Sequence, residues 1–474
     1  LSPTIDTTKG DALIDTTCRT ATHGTWAAVM VAVLVALAAR VPFMTEPGFP
    51  ADVSQFAYWA YLTKAQGLPA VYQSNELSGR PVCNYPPGYV FVLRGLVAIH
   101  DVVAPPGEAF GPELIRSIYE SERTPATRRA YAILKAPGVL CDVWLAGLLA
   151  YIAGRCWRTR SAWALGLAYA LLPAAIHNAA LWGQVDSILA LLLVAALWCG
   201  VRQRMIGMVV LSFLAFLTKA QAAMLVPVFA YLLIHWAGRD VRRWGRASIA
   251  IGVTVGMVVL PFLSMARPML AAYTQAASYY PFVHLNGLSG WFLLSPVAEN
   301  HLDAPELSQW YRPDDTGWLL GLAPRTIGFV LLLSVWAIVV ARLIRTDGKP
   351  VVVRAAVRVL SLAFFVLSTQ MHERYLLPAA VLWMFAYEAR WSWWLSWLVL
   401  AACVTINQAW VWANPENGVA GRVISDKLRE FRLFEQPVGV WLAGVLLVLL
   451  VGQIVQLLRM GRAQKETPSA GPTA

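Results

Sequence analysis

Asp52 is the residue best placed to do chemistry. It stands in Pro50-Ala51-Asp52-Val53-Ser54-Gln55, directly after an apolar run and at the start of a stretch rich in aromatics. A single carboxylate in that setting can act as a general base toward a hydroxyl nucleophile. Asp-Val-Ser-Gln also reads as the opening of a helix, with Asp52 as its cap. Four other stretches carry polar groups in apolar surroundings. Asn84-Tyr85-Pro86-Pro87-Gly88-Tyr89 is a turn stiffened by its two prolines, and Tyr85 there can stack on a ring or anchor at lipid headgroups. Trp182-Gly183-Gln184-Val185-Asp186-Ser187 is a tight turn with His177 and Asn178 just before it. A turn needs Gly, but it does not need Trp, Gln and Asp together, and an Asp this close to lipid must be hydrated, paired or functional. Thr218-Lys219-Ala220-Gln221 puts an ammonium between two apolar stretches, with Asp186 or a substrate phosphate as its expected counter-ion. Lys135 poses the same question; Asp142, seven residues on, shares its helical face, so an ion pair within or between helices is the structural reading. Met371-His372-Glu373-Arg374-Tyr375 is the densest polar cluster. At a helix start Glu373 and Arg374 can serve as caps. With His372 they also form a phosphate cradle, two cation-capable side chains beside free helix N–H groups.

The elements that must position these groups are membrane helices. Of the 474 residues 58% are hydrophobic and 14% charged, against roughly 25% charged in a soluble domain. The 21 Trp and 16 Tyr suit two interfacial belts. The expected fold is an all-α polytopic membrane protein. Apolar runs of spanning length fall at about 25–43, 130–153, 163–180, 183–201, 204–218, 220–236, 246–265, 325–344, 351–369, 375–389, 393–412 and 437–458. Basic residues cluster at 154–160, 202–204, 239–246, 342–349, 388–390 and 459–465. Placing all of these in the cytoplasm gives an unbroken alternation from residue 130 onward, about twelve or thirteen helices and cytoplasmic termini. The run 88–104, interrupted by Arg94, His100 and Asp101, then lies re-entrant or interfacial rather than crossing, because charge at bilayer depth is costly. If it crossed, the basic loop 154–160 would fall outside.

This topology divides the chain into a polar, disordered cytoplasmic tail (1–24), a transmembrane module (25–265) containing a large outer loop (44–129), a second outer loop (266–324), a C-terminal transmembrane module (325–458) and a second cytoplasmic tail (459–474). In the second loop Tyr279, Tyr280, His284, Asn286 and Trp291 suit acceptor recognition or a packed lid. The segment 413–436 has nearly balanced charge and suits an amphipathic surface helix. No cleavable signal peptide is evident, and the chain does not begin with Met, so a trimmed or partial sequence is expected. The net charge of +11 is spread in small groups between apolar runs, which argues against a nucleic-acid partner. The six cysteines form no CxxC or Cys/His spacing, so neither a zinc site nor a disulfide framework is expected. There is no nucleotide-binding glycine motif, which argues against an ATP-driven pump or a transferase using a cytosolic nucleotide sugar.

Asp52, Asp186, Lys219, His372 and Arg374 all fall on the outer side in this topology. A transporter would place its polar groups near the midplane, on broken helices. A one-sided cluster fits an enzyme working at the outer interface. A sugar donated from a polyprenyl phosphate matches the residue types: the leaving phosphate needs electrostatic stabilisation, the acceptor hydroxyl needs a base, and no metal or other cofactor is required.

Taken together the motifs resemble the GT-C superfamily of integral-membrane, lipid-phosphosugar-dependent glycosyltransferases. They are most similar to bacterial mannosyltransferases like those of the GPI-anchor pathway and to eukaryotic glucosyltransferases that extend the lipid-linked N-glycan precursor. The residues that carry the resemblance are Pro50-Ala51-Asp52, Asn84-Tyr85-Pro86-Pro87, Leu134-Lys135-Ala136-Pro137 with Asp142, Trp182 to Asp186, Leu217 to Gln221 and Met371 to Tyr375, spanning about 52 to 378. The resemblance implies that Asp52 is the general base of an inverting hexose transfer, with mannose ahead of glucose. It implies that His372, the His of the family's His-Glu motif, binds the donor phosphate together with Arg374 and, more loosely, Lys219 and Gln184. Asp186, Glu373, Tyr85 and Lys135 support the site, and the first outer loop carries interfacial helices. The acceptor would be a glycolipid, polysaccharide precursor or glycoprotein on the non-cytoplasmic face, as of a bacterial inner membrane. No second Asp closely follows Asp52, which sets the chain apart from metal-dependent branches such as the oligosaccharyltransferases. Two other readings remain open at this point: a flippase or transporter of saccharides, and a structural membrane subunit.

Overall fold

A computed structural model describes residues 20–73, 82–274, 281–294, 313–412 and 431–460. Residues 1–19, most of the segment 413–436, Tyr279, Tyr280 and the tail beyond 460 lie outside the described residues.

The chain is a multi-pass integral membrane protein built almost wholly of helices. Among the described residues, eight helical segments are long and apolar enough to cross a membrane, nine if the bent pair Thr159–Ala170 and Pro173–Trp182, angled at 47°, is one span. In chain order the helices are α1 (His23–Arg40), α2 (Pro50–Ala65), α3 (Pro87–Val103), α4 (Pro112–Tyr119), α5 (Pro125–Cys156), α6 (Thr159–Ala170), α7 (Pro173–Ile176), α8 (Asp186–Val201), α9 (Met205–Thr218), α10 (Val226–Ala237), α11 (Val241–Val259), α12 (Ala266–Thr274), α13 (Pro324–Arg345), α14 (Pro350–Leu367), α15 (Leu377–Phe385), α16 (Trp391–Trp412) and α17 (Val438–Arg459). Proline opens many of them; its missing N–H costs nothing at the first helical position. The only strands among the described residues are Arg432–Leu433 and Gln436–Pro437, paired antiparallel.

The expected apolar runs appear as helices, but several fall short of a straight span among the described residues: 163–180 is the bent pair, 183–201 and 204–218 give the shorter α8 and α9, and one run is much shorter still. The run 375–389 yields a helix of only nine residues, α15, roughly 14 Å long against a hydrocarbon layer of about 30 Å. All nine residues are buried. The run is apolar because it lies in the middle of the bundle, and apolar length alone does not separate a core helix from a spanning one.

The helices place their ends in two groups. One end gathers Phe43, Glu46, Lys135 and Ala180, joined by hydrogen bonds. The other gathers Thr22 with Thr159, Trp157 with Tyr387, Arg358 with Glu388 and His235 with Asp347. The basic loops at 154–160, 342–349 and 388–390 lie in this second group, as the charge pattern predicts. α3 does not run between the groups. Its first turn packs against the end of α9, where a Cβ on Gly88 would meet the Leu217 carbonyl oxygen at 2.7 Å. Its last turn pairs Asp101 with Lys64 at 2.7 Å, and the following segment pairs Glu108 with Arg129 at the start of α5. Both ends of α3 therefore sit at the first group, so the helix lies across that end of the bundle.

One ion pair fastens α1 to α5 and α6. Arg40 Nε donates to Asp142 Oδ2 at 2.8 Å, and both side chains are fully buried. Arg40 Nη1 also donates to the Ala36 and Ala170 carbonyls, and the Tyr169 hydroxyl donates to Asp142 Oδ1. This corrects the expectation that Asp142 partners Lys135. Removing one member of such a pair strands a buried charge and costs about 3–5 kcal/mol. Asp142→Asn and Arg40→Met should each lower the detergent unfolding temperature sharply. The double variant should be less destabilised than the two losses added together, and simple additivity would show that the residues do not act as a pair.

Candidate active site

The first-group end of the bundle brings the sequence motifs together. Phe49 takes extended backbone and Pro50 starts α2, so Asp52 falls in the first helical turn. A carboxylate there sits well with the helix dipole, but Asp52 makes no capping bond; the cap position is Phe49. Its oxygen Oδ2 instead accepts from Trp182 Nε1 at 2.6 Å and from Gln184 Nε2 at 2.5 Å. Arg374 Nη1 lies 4.0 Å from the same oxygen. Among the described residues no donor reaches Oδ1, and the Asp52 side chain keeps 19% of its surface.

The geometry of the second motif explains those bonds. His177–Trp182 forms a π-type turn, a widened helix frequent at functional sites. It closes on Gly183 in the left-handed region, φ +88°, which a residue with a side chain enters only at a cost. The chain then turns into α8 with Gln184 beside Asp52. Asp186 opens α8, accepts from Asn178 Nδ2 at 3.1 Å and forms an ion pair with Lys219. Of the two expected counter-ions for Lys219, the structure supplies Asp186. The Lys219 ammonium also lies over the rings of Tyr85 at 5.5 Å and Tyr375 at 5.2 Å, a cation–π arrangement.

Among the described residues no carboxylate pairs with Lys135. Its ammonium donates to the carbonyls of Phe43 at 3.1 Å, Glu46 at 2.7 Å and Ala180 at 2.8 Å. It thereby ties α5 both to the loop that leads into α2 and to the π-turn that carries Trp182. Tyr85 is packed among Phe56, Trp59 and Tyr89, and its hydroxyl donates to Gln184 Oε1 at 3.4 Å.

The His-Glu-Arg motif lies opposite. Met371 is held in place by the Leu285 and Gly287 N–H groups, which donate to its carbonyl at 2.9 Å each. Glu373 Oε1 takes a 2.8 Å bond from Arg374 Nη1, and its other oxygen lies 3.8 Å from His372 Nδ1. Arg374 stacks over Trp182 at 5.8 Å. Burial lowers the His372 pKa and Arg374 lowers it further, so the imidazole is neutral at neutral pH and acts as a hydrogen-bonding group. Gln184 and Arg374, grouped by the sequence with phosphate binding, both turn toward Asp52.

A cavity of about 540 Å³ opens beside the cluster. Its polar end is lined by Tyr85, Lys219, His372 and Tyr375. Its apolar side carries Phe329, Leu332, Leu333 and Trp336 of α13 and Phe364 of α14. Arg325, Thr369 and Gln370 also line it. Behind this wall Asp314 is fully buried and accepts from Thr369 Oγ1 at 2.7 Å and Gln370 Nε2 at 2.8 Å. Burial raises its pKa above the usual carboxylate range, against the pull of those donors. Neither Asp314 nor Arg325 stood out in the sequence, and Trp182 was not evident there as a donor. The clue to Trp182 was already present, since a turn built on Gly has no need of a Trp. Asn286 and His284 of the second loop sit against this wall rather than in the cavity: the Asn286 carbonyl accepts from Asn407 at 2.8 Å, and His284 is buried.

No family model matches the chain, and no curated protein sequence matches it. Among solved structures the chain is similar to the crystal structure of ArnT from Cupriavidus metallidurans bound to undecaprenyl phosphate, at 15% identity and a TM-score of 0.45, over 92% of this chain and 72% of that one. A likeness at that level carries no weight for the reaction, which must be read from the site itself.

Burial pushes the Glu373 carboxyl up, but Arg374 and then His372 outweigh it and hold it down, at about 2 against an ordinary 4.5. The folded state thus favours the ionised form. The resulting stability is fully present above pH 4.5 and is lost as the pH falls through about 2. Unfolding of the detergent-solubilised protein, followed between those limits, should show this loss in the parent and a shallower one in Glu373→Gln. Equal slopes would mean that Glu373 is not held by its neighbours.

Proposed function

We propose that the chain is a membrane glycosyltransferase of the GT-C kind, moving a hexose from a polyprenyl-phosphate sugar to a hydroxyl of a glycan or glycolipid acceptor. The observation that carries this reading is the state of Asp52. Its Oδ2 is engaged by Trp182 and Gln184, while Oδ1 is open, and an apolar cavity with a polar end lies alongside. A carboxylate steered through one oxygen and left open at the other is built to accept a proton.

In this reading the isoprenoid chain lies along Phe329, Leu332, Leu333 and Trp336, and the phosphate sits near Lys219 and His372. The acceptor oxygen attacks the anomeric carbon from the side opposite the phosphate, with inversion. The new C–O bond forms as the bond to the phosphate oxygen breaks. The hydroxyl proton passes to Asp52 Oδ1, and the departing electron pair stays on the polyprenyl phosphate. Lys219, the His372 N–H and Arg325 meet the charge gathering there. Gln184, Trp182 and Arg374 orient the base, and Lys135 sets the two loops that carry it. The resemblance of the motifs ranks mannose ahead of glucose. The basic loops at the far end of the bundle favour a cytoplasmic location for that end and so a site on the non-cytoplasmic face, as of a bacterial inner membrane. The convergence of polar groups at one end speaks against a transporter.

Purified protein should transfer hexose from polyprenyl-phosphate mannose or glucose to a native membrane lipid extract, with EDTA present. Asp52→Asn should lose roughly 10²–10⁴-fold in rate, the usual contribution of a general base, while donor binding survives. Gln184→Ala should lose less, because one donor to Oδ2 remains. Parent-like transfer by Asp52→Asn would refute the assignment of the base, and absence of transfer from either donor by the parent would refute the reaction.

A further inference from the structure

We propose that two short hairpins, one before α13 and one before α17, seat their apolar tips in the bilayer interface at the end of the bundle that carries the site. The inference goes beyond the transferase reading and does not depend on it. The first hairpin runs from Trp318 to Leu322. Leu319 and Leu322 form an antiparallel bridge, and the Trp318 N–H donates to the Leu322 carbonyl at 2.9 Å. The second pairs Arg432–Leu433 with Gln436–Pro437 and leads straight into α17. Each turns through two residues of positive φ. These are Leu320 at +53° and Gly321 at +76°, then Phe434 at +48° and Glu435 at +66°. Asn, Asp and Gly are the usual occupants of such hairpin turns. Leu and Phe enter the left-handed region at a steric cost, and here they are also laid bare: Leu320 is 92% exposed and Phe434 81%. In water a polar turn residue would do better on both counts.

Both hairpins fold back along the helix that follows them. Trp441, one turn into α17, donates its Nε1 to the Leu433 carbonyl at 2.8 Å, and its ring lies 5.9 Å from that of Phe434. Trp318 packs edge-on against Trp291, with centroids 6.5 Å apart. Trp291 in turn lies against α13, where a Cβ on Gly328 would meet its indole at 3.3 Å. Phe292, the next residue, lies against Gly439 of α17 in the same way. Each hairpin is therefore level with the first two turns of its helix. α13 and α17 are both long and apolar enough to cross a membrane, and their exposed apolar faces begin at that level, with Phe329 and Val330 on one and Trp441 and Val445 on the other. The tips thus continue a lipid-facing surface at its rim. Charged residues accompany them, Asp315 and Arg325 around the first hairpin and Arg432 and Glu435 within the second. Aromatic, aliphatic and charged groups at one depth suit the headgroup–acyl boundary, where rings and long basic side chains both find partners.

The test uses the full-length protein in nanodiscs of phosphatidylethanolamine and phosphatidylglycerol. Leu320→Cys and, separately, Phe434→Cys carry a nitrobenzoxadiazole label, and the parent treated in the same way supplies the background from native thiols. Lipid bearing a nitroxide on the upper acyl chain should remove most of the emission of each label, and aqueous iodide should remove little. Leu319→Cys and Leu433→Cys repeat the measurement away from the strained positions, in case a turn variant fails to fold. Quenching by iodide in place of lipid would overturn the proposal by placing the tips in water. Protection from both quenchers would overturn it by showing that protein covers them. A disulfide joining two copies through Leu320→Cys would overturn it in favour of a contact between copies. None of these outcomes depends on sugar transfer, so a chain that fails to transfer but shows lipid quenching keeps the hairpins and loses only the transferase.

Discussion

A carboxylate at the mouth of an apolar bundle must be held by donors, and the site follows from how that requirement is met. Asp52 is steered through one oxygen by an indole and an amide, with a guanidinium standing 4.0 Å away. Two neutral donors fix the geometry of one oxygen and leave the other open. Arg374 is itself shared with Glu373, and Lys219 is bound to Asp186. With His372 held neutral, three carboxylates face two cations. The cluster is thus no simple basic cradle. On the proposed reading, a phosphate arriving there would be received by positioned hydrogen-bond donors and by ammonium and guanidinium groups already ordered by their own counter-ions, at little reorganisation cost.

Much of this could be read in the sequence, for identifiable reasons. Polar residues inside apolar surroundings are costly, so each motif announced itself against its background, and basic loops ordered the helix ends. The lie of α3 followed from Arg94, His100 and Asp101, because charges at that spacing cannot all be kept in hydrocarbon. What stayed hidden depended on contacts between distant segments. Arg40 meets Asp142 across 102 positions, and Asp142 looked like a partner for Lys135 only because helical spacing is the one neighbour relation a sequence displays. Lys135 instead binds three carbonyls of two other segments, which no pattern of charges could suggest. Trp182 stood out in a turn that needs only Gly, but only the π-turn shows its N–H aimed at Asp52. The nine-residue α15 was hidden because a helix buried in protein and one bathed in lipid are equally apolar.

The arrangement also settles how two anionic demands coexist. On the proposed reading the site must hold a phosphate and a carboxylate close together, and their repulsion would be severe in so dry a setting. The structure interposes neutral groups. From the cavity inward the order is Tyr85, then Gln184, which takes the tyrosine hydroxyl on Oε1 and gives its amide to Asp52. Lys219 lies on the cavity side, over Tyr85, whereas Arg374 stands beside Asp52. Leaving group and nucleophile are thereby assigned to different sides of one amide. A base so placed can take a proton from an incoming hydroxyl without facing the phosphate that leaves. On the proposed reading, that separation, more than any single residue type, suits Asp52 to inversion.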